Sequence, residues 1–292
     1  MSKTDNSTQT DVAIIQPAVP HYRVDFFAGL RKQIKISLYT TKKDFLGVVS
    51  VENLEHTSYQ SSFKKIGPLL WHKKLPIISI LNTHSQIVIN GNLRIINYMF
   101  IFILARLMGK EVIWWGHLNT AGSHGLSSKI RQQIMKTSSK ILLYTENEKE
   151  RFDYKEQVYA LNNGLTPPHG IKTKKLSDFS SSDIIKLLFI GRLTEKCNIF
   201  PALEKLFGSE LSFEFHIIGD GPLITKCSEF LADPRFIFHG ALYNEKDIGA
   251  IALKCDLLVY PGSVGLSLIK GFGYGLPAVI HSNMRNHMPE CA

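Results

Sequence analysis

The stretch CDLLVYPGSVGLSLIKGFGYGLPAVIHS, residues 255–282, reads as a strand, a tight turn, a helix and a second strand. Residues 257–260 form a short apolar run, which is typical of a strand covered on both faces. A helix is predicted over 265–274, because apolar residues recur on one side of it and Gly-Leu-Pro follows. Residues 278–280 then resume the sheet. The stretch therefore predicts a β-α-β unit.

The turn inside this unit consists of Gly262, Ser263, Val264 and Gly265. A small-residue turn that leads into a helix leaves several backbone N–H groups unpaired, with the positive end of the helix dipole behind them. Such a turn can bind a phosphate group. The alternative is an ordinary strand-to-helix connection whose glycines only relieve backbone strain.

Strands and helices alternate along the rest of the chain. In the second half, strands are predicted at 186–190, 213–218, 236–238, 257–260 and 278–280, with helices near 199–207, 222–232, 245–254 and 265–274. In the first half, strands are predicted at 11–16, 34–39, 86–89, 111–115, 141–145 and 157–160, with helices near 93–108 and 127–137. Residues 40–74 give no clear assignment. Alternation of this kind predicts parallel sheets with right-handed crossovers.

The domain organisation follows from length and composition. A chain of 292 residues favours about two domains. Residues 169–183 are rich in lysine and serine and form the best linker candidate. The predicted fold is therefore α/β, with a Rossmann-like parallel-sheet domain over 1–168 and a second one over 184–292, facing each other across a cleft.

The charge of the chain limits its partners. Lysine and arginine number 34 against 25 aspartates and glutamates, which gives a formal charge of +9 and suits phosphate groups or an anionic membrane surface. The sequence has no zinc finger, RNP signature or basic-region helix, so no nucleic-acid partner is expected. The polar N-terminus lacks a secretory signal and the four cysteines are widely spaced, which predicts reduced thiols in a cytoplasmic protein.

The most apolar run, residues 95–108, is shorter than the roughly 20 residues that a membrane-spanning helix needs, and Arg106 interrupts it. A buried helix is expected. The alternative is a helix that lies in the membrane interface, which would place the protein at the inner face of the membrane.

The block at 255–282 resembles the donor-binding signature of GT-B glycosyltransferases, in the large retaining group that contains glycosyltransferase family 4. Residues 265–269 and 275–277 match that signature. Its two acidic positions fall on Gly262 and Lys270, so this variant resembles a subset of bacterial polysaccharide transferases. In the family the second acidic residue contacts the nucleotide ribose, a place that Lys270 takes here. Family members continue beyond this block, so the second domain is expected to be incomplete.

His117 is the candidate catalytic residue. It follows the strand at 111–115, at the carboxyl end where open α/β sheets bind ligands. The alternative is a hydrogen-bonded structural histidine. The Trp-Gly-His run resembles that of related transferases, in which this histidine reaches the donor sugar near the reacting carbon. The resemblance thus implies that His117 orients or polarises the sugar.

Other candidate residues follow strand ends. Arg192 and Lys196 lie on one loop after the strand at 186–190, where two cations can neutralise a diphosphate. The resemblance places the nucleotide base near Tyr243, which either stacks on it or packs in the fold. It also places the acceptor near the loop that carries His21 and Arg23.

The resemblance implies transfer of a hexosyl or deoxyhexosyl group from a nucleotide-diphosphate sugar to a glycan or lipid-linked acceptor, in the synthesis of cell-surface polysaccharide or lipopolysaccharide. No cofactor is expected, and the sequence shows no cluster with metal-ligand spacing. Three alternatives stay open: a degenerate or truncated transferase that binds without turnover, a basic adaptor at a membrane surface, and a sugar-nucleotide epimerase.

Overall fold

The computed structural model describes residues 11–119, 125–162, 164–165, 184–283, 287–288 and 291. It divides the chain into two compact units, Met1–Asn162 and Asn163–Ala292. The linker predicted at 169–183 lies outside the described residues.

The first unit is built on a seven-stranded parallel sheet. Its elements are β1 (Val12–Ile15), α1 (Val24–Arg31), β2 (Ile36–Thr41), β3 (Thr57–Gln60), β4 (Phe63–Ile66), β5 (Leu69–His72), α2 (Ile77–Thr83), β6 (Gln86–Asn90), α3 (Ile96–Leu107), β7 (Glu111–Trp115), α4 (Leu126–Lys136), β8 (Lys140–Leu143), α5 (Glu146–Arg151) and β9 (Val158–Ala160). The order across the sheet is β3-β2-β1-β6-β7-β8-β9. All four residues of β1 are buried, as expected for a central strand with helices on both faces.

Two apolar cores cover the two faces of this sheet. Residues of α2, α3 and α4 pack on one face, together with the fully buried Trp114 of β7. Phe27 of α1 packs on the other face against Ile14 and Trp115. Side chains point alternately to opposite faces of a strand, so neighbouring tryptophans belong to different cores.

The segment without a clear assignment at 40–74 contains three strands. β3 extends the sheet at its edge, whereas β4 and β5 pair antiparallel as a separate hairpin. Each of these three strands has four residues, and the segment that contains them is mostly polar. Apolar periodicity therefore did not reveal the strands. The short helix α2 was missed as well.

The second unit contains a five-stranded parallel sheet. Its elements are β10 (Ile185–Ile190), α6 (Ile199–Phe207), β11 (Phe213–Ile218), β12 (Phe236–Gly240), α7 (Glu245–Ala252), β13 (Leu257–Tyr260), α8 (Leu266–Gly273) and β14 (Ala278–Ile280). The order is β12-β11-β10-β13-β14. The helix predicted at 222–232 is instead a 3-10 segment, Ile224–Phe230. All four cysteines lie in described ranges, and none of them forms a disulfide.

Each sheet has one point at which the strand order reverses. In the first unit this point lies between β1 and β6, and in the second between β10 and β13. Chain segments after these strands leave in opposite directions, which opens a crevice at the carboxyl ends. The two crevices hold the loops considered next.

Helix α3 corresponds to the apolar run at 95–108. One side is buried, but Phe100, Ile103 and Leu107 are exposed, so the expectation of a buried helix holds for only half of its surface. Among the described residues, no helix has both the length and the apolar character needed to cross a membrane.

Candidate functional site

Two loops of the second unit meet at its strand-order reversal. The loop after β10 carries Arg192 and Lys196, both exposed, and the turn after β13 carries Gly262. The backbone N–H of Ser263 donates to the carbonyl oxygen of Lys196 at 2.8 Å. A Cβ atom on Gly262 would lie 2.2 Å from that oxygen and 2.4 Å from the carbonyl carbon of Cys197. Only glycine therefore lets the two backbones lie this close.

The turn after β11 packs against the same loop. A Cβ atom on Gly219 would lie 1.8 Å from the carbonyl oxygen of Gly191, and one on Gly221 would lie 2.3 Å from that of Leu193. The N–H of Leu193 donates to the carbonyl of Asp220 at 2.9 Å. The backbone of the loop after β10 thus contacts the backbone of the turns after β11 and β13. These contacts fix the backbone positions of Arg192 and Lys196.

Two backbone N–H groups of the turn at 262–265 donate hydrogen bonds to acceptors within the protein. Ser263 N–H binds Lys196, and Val264 N–H donates to Nδ1 of His287 at 3.2 Å. The Val264 side chain is fully buried in the core. Helix geometry leaves the amides of Gly265, Leu266 and Ser267 outside the intrahelical bonding of α8. Any anion at this turn would therefore bind at the helix start, not along the whole turn.

Lys270 lies in an ion pair. Its Nζ is 2.8 Å from Oε1 of Glu245, the first residue of α7, and the side chain is 21% exposed. The hydroxyl of Tyr274 donates to the other oxygen of Glu245 at 2.7 Å. Burial and this carboxylate raise the pKa of the Tyr274 hydroxyl. The basic residue at the second acidic position of the signature is thus matched by a carboxylate from a neighbouring helix.

Tyr243 follows β12 and is 73% exposed. Its ring is therefore exposed at the carboxyl edge of the sheet and does not pack in the core. Close by in sequence, His239 lies on β12 and its Nε2 is 3.0 Å from Nδ1 of His216 on β11. Burial lowers the pKa of both histidines; the Glu214 carboxylate opposes this shift at His216, whereas His216 and Lys254 add to it at His239.

The first unit holds His117 against a carboxylate. Nδ1 of His117 lies 3.2 Å from Oε1 of Glu148, on α5. The histidine side chain is 32% exposed and that of Glu148 only 9%, so the carboxylate supports the ring from inside the protein. A carboxylate can only accept a hydrogen bond, so Nδ1 donates in this contact and Nε2 is the ring nitrogen that does not face Glu148.

Glu148 accepts two further hydrogen bonds from the backbone. The N–H of Leu118 donates to Oε1 at 3.0 Å and that of Tyr144 to Oε2 at 3.1 Å. These bonds tie the ends of β7 and β8 to one carboxylate. Because both oxygens are occupied and buried, Glu148 is held in a single position.

Two more side chains surround this pair. The Tyr144 ring lies 4.3 Å from the His117 ring, measured between centroids. Arg131 of α4 donates from Nη1 to the carbonyl of His117 at 3.4 Å. Burial lowers the pKa of Arg131, while the Glu148 carboxylate acts in the opposite direction. The histidine is therefore fixed by its ring, its backbone and the carboxylate below it.

Arg23 approaches the same group from the loop after β1. Its guanidinium donates to the Tyr144 hydroxyl at 3.2 Å and lies 4.7 Å from the centre of the Trp115 ring. His21 lies in the same 3-10 turn, His21–Arg23, and is exposed. Arg23 and His117 thus both contact Tyr144, and the three residues are neighbours at one edge of the sheet.

Polar side chains lie at the strand-order reversal of the first unit. Asn90, at the end of β6, donates from Nδ2 to Oε1 of Gln16 at 3.1 Å. Gln16 is 3% exposed, and its Nε2 has no partner among the described residues. A buried amide with one free donor fits a site that a polar ligand or water completes.

Sequence reasoning missed Glu148, Tyr144 and Arg131. The run Thr145 to Glu148 does carry a signal, since Thr145 accepts from the Glu148 N–H as an N-cap does. That pattern predicts a helix start and says nothing of a distant histidine. Within the described ranges, no group of three or more histidine, cysteine, aspartate or glutamate side chains is placed to hold a metal ion.

No protein-family model matches the chain, and no curated protein is similar to it in sequence. Solved structures do match it. WaaB, a lipopolysaccharide outer core galactosyltransferase in its apo form, has a TM-score of 0.61 at 16% identity, over 94% of this chain and 82% of its own. Anabaena HepE, in complex with UDP and glucose, has a TM-score of 0.62 at 12% identity, over 93% and 80%. WaaG, a glycosyltransferase involved in lipopolysaccharide biosynthesis, gives 0.55 at 12%, over 92% and 80%.

These likenesses concern the fold. The chain has the α/β fold with two parallel sheets that these GT-B glycosyltransferases share. The fold class predicted from the sequence is thereby confirmed.

Proposed function

We propose that the protein is a retaining GT-B glycosyltransferase of the family 4 type. It moves a hexosyl or deoxyhexosyl group from a nucleotide-diphosphate sugar to a glycan or lipid-linked acceptor in cell-surface polysaccharide or lipopolysaccharide synthesis. The observation that carries the proposal is the close contact of Gly262 with the backbone of Lys196 and Cys197. It joins the start of helix α8 to the loop of Arg192 and Lys196 at a strand-order reversal, where open sheets bind ligands.

The donor end of the reaction is assigned to this place. When the bond between the anomeric carbon and the diphosphate oxygen breaks, its electron pair stays on the diphosphate. Arg192, Lys196 and the free amides at the start of α8 would stabilise that charge with fixed dipoles and cations. The proposal needs no cofactor. Tyr243 is exposed at the same edge and is assigned to the nucleotide base.

The ribose contact is the least regular part of the assignment. Lys270 takes the place of an acidic residue in the family signature, and it is paired with Glu245. Glu245 is half exposed, so its carboxylate can accept a hydrogen bond from a ribose hydroxyl while Lys270 holds it in position. We assign the pair jointly to that contact.

The sugar end is assigned to His117. Its ring is held by Glu148 and stays about one-third exposed, so Nε2 is the atom that can reach the transferred sugar. The acceptor is assigned to the loop of His21 and Arg23, because Arg23 reaches Tyr144 beside the histidine. The reaction is proposed to occur in the cytoplasm, at the inner face of the membrane.

The test is release of nucleoside diphosphate from a panel of nucleotide sugars, with and without a lipid-linked acceptor. One donor should be consumed faster than the others and faster still with acceptor. Changing His117 to Ala should lower turnover at least tenfold while donor affinity, measured by calorimetry, stays within a factor of about three. Absence of binding to every nucleotide sugar would refute the proposal.

A second candidate function is binding without turnover, as in a degenerate transferase. The observations in its favour are that the amides of Ser263 and Val264 already bind protein acceptors and that Lys270 replaces an acidic residue. In the same assay, this candidate predicts calorimetric binding of a nucleotide sugar with no release of diphosphate under any acceptor condition.

A further inference from the structure

Helix α3 has two apolar sides. The inner side packs against the sheet through Tyr98, Ile101, Phe102 and Ala105. The outer side carries Phe100, Ile103 and Leu107, which lie at positions i, i+3 and i+7. Phe100, Ile103 and Leu107 are 49%, 55% and 79% exposed. A helix that is apolar all round is normally buried all round, but the described part of the chain leaves the outer side of α3 uncovered.

Helix α4 extends this surface. Two shallow depressions of ≈ 300 and ≈ 310 Å³ lie between α3 and α4, and Ile103 and Thr137 line both. Leu126 and Ile130, earlier on α4, are exposed as well, one turn apart on the same side as Thr137. Helical spacing therefore places the exposed apolar side chains of α4 on the side of that helix that borders α3 at the two depressions.

The charges on this surface have one sign. Helices α2, α3 and α4 contain no aspartate or glutamate, and their cations are Arg106, Lys129, Arg131 and Lys136. Arg106 is exposed, and its Nη1 donates to a neutral hydroxyl, Oγ of Ser139, at 2.8 Å. Within the described ranges no carboxylate forms an ion pair with Arg106 or Lys129.

We propose that this surface, the α3–α4 face, docks the protein on an anionic bilayer. The face consists of Phe100, Ile103, Leu107, Leu126 and Ile130 with Arg106 and Lys129. Apolar side chains beside cations are the combination that binds the boundary between headgroups and acyl chains. Helix α3, about 18 Å long, would lie along the membrane plane.

Charge decides between a bilayer and a second copy of the chain. In a symmetric dimer the same face would meet itself, which would bring Arg106 and Lys129 against the same cations of the partner. Like charges placed together in this way oppose association. Anionic headgroups neutralise them instead.

The α3–α4 face is linked to the candidate site through α4. Arg131 donates to the carbonyl of His117, and Gln132 donates to Oδ1 of Asn119 at 3.0 Å, while the adjacent Lys129 and Ile130 face outward. A lipid-linked acceptor in the same bilayer would thus be held near the catalytic histidine. This last step rests on the proposed function, whereas docking itself does not.

The experiment is flotation of the full chain with vesicles, without donor or acceptor. Phosphatidylcholine vesicles that contain phosphatidylglycerol should carry the protein, and vesicles of phosphatidylcholine alone should carry at least tenfold less. The double variant Ile103→Ser/Leu107→Ser and the double variant Arg106→Gln/Lys129→Gln should each weaken binding to the anionic vesicles by roughly tenfold or more.

Matched controls lie on the second unit. Leu211→Ser removes an equally exposed leucine and Lys205→Gln an exposed lysine, and both should bind as wild type. Thermal melts of all variants should agree within a few degrees, since each change is on the surface. Because no substrate is present, loss of transferase activity does not affect the result.

Two outcomes would overturn the inference. One is wild-type protein that stays at the bottom of the gradient with anionic vesicles, or face variants that float as well as wild type. The other is a wild-type dimer in analytical ultracentrifugation that the Ile103→Ser/Leu107→Ser variant dissociates, which would assign the face to a second copy.

Discussion

Oε1 of Glu148 lies 3.2 Å from Nδ1 of His117, and the two residues are 31 positions apart in the chain. The same carboxylate accepts backbone N–H groups at the ends of β7 and β8. The histidine therefore has a fixed ring orientation before any ligand arrives, which is what the proposed contact of His117 with one atom of a sugar requires.

Replacing Glu148 with Gln tests this relationship. The amide NH2 would face the Tyr144 N–H at the Oε2 position, or both His117 Nδ1 and the Leu118 N–H at the Oε1 position, so we expect a loss of about 1–3 kcal/mol in the free energy of unfolding. Turnover should fall at least tenfold because the charged acceptor that holds the ring of His117 is lost, while donor affinity stays near that of wild type. Denaturant titration and steady-state rates measure the two effects.

Glu146→Gln is the control for this change. Glu146 lies on the same helix, is half exposed and forms an ion pair with Lys149 three residues later. It should cost no more than about 0.5 kcal/mol and leave the rate unchanged. Equal rates for the two variants would show that Glu148 does not position His117.

Gly262→Ala tests the contact between the two loops of the second unit. The new methyl group would lie 2.2 Å from the carbonyl oxygen of Lys196, so one backbone must shift. We expect about 1–3 kcal/mol of destabilisation and weaker donor binding, because Lys196 and the start of α8 move apart. Thermal melts and calorimetry check both.

Gly29→Ala gives the matched comparison. Gly29 lies within α1, and a methyl group there meets nothing within 4 Å. This variant should be more stable by about 0.5–1 kcal/mol, since alanine favours a helix over glycine. If Gly262→Ala is as well tolerated as Gly29→Ala, the glycine at 262 has no packing role.

Arg192→Ala should weaken binding of the donor nucleotide roughly tenfold, and Lys196→Ala by a smaller factor, because the planar guanidinium can bind two phosphate oxygens at once. Both effects should shrink as salt concentration rises. Titration calorimetry at two ionic strengths measures them. Lys205→Ala, an exposed lysine of α6, is the control, and affinity equal to wild type in Arg192→Ala would remove that residue from the site.

The stability of the protein should depend on acid through His72. This residue is fully buried, with Nδ1 3.0 Å from the Tyr98 hydroxyl, and burial lowers its pKa to about 4 from 6.5. Above pH 6.5 the ring is neutral in both states. As the pH falls from 6.5 towards 4, the unfolded chain takes up the proton and the folded chain does not, so about 3 kcal/mol of stability is lost.

His72→Gln removes this titration while keeping a polar group beside Tyr98. Its free energy of unfolding should fall less steeply than that of wild type between pH 6.5 and 4, and the difference between the two should be constant above pH 7. Parallel curves over the whole range would mean that His72 is not the source of the acid sensitivity.

The sequence predicted well what depends on neighbouring residues. Short segments rich in apolar residues marked β1, β10, β11 and β13, and their alternation with helices predicted the two parallel sheets. It failed where strands were short, as at β3 to β5, because four residues inside a mostly polar segment give no period to read.

The sequence by itself determined the alternation of strands and helices, the placement of His117 and Arg192 at strand ends, and the excess of positive charge. Only the tertiary structure decided that Glu148 supports His117, that Gly262 rests on the backbone of Lys196, and that α3 is covered on one side only. The physical reason is range: periodicity and turn chemistry act within a few residues, whereas these contacts join segments that are distant in the chain and meet only when the sheets are assembled.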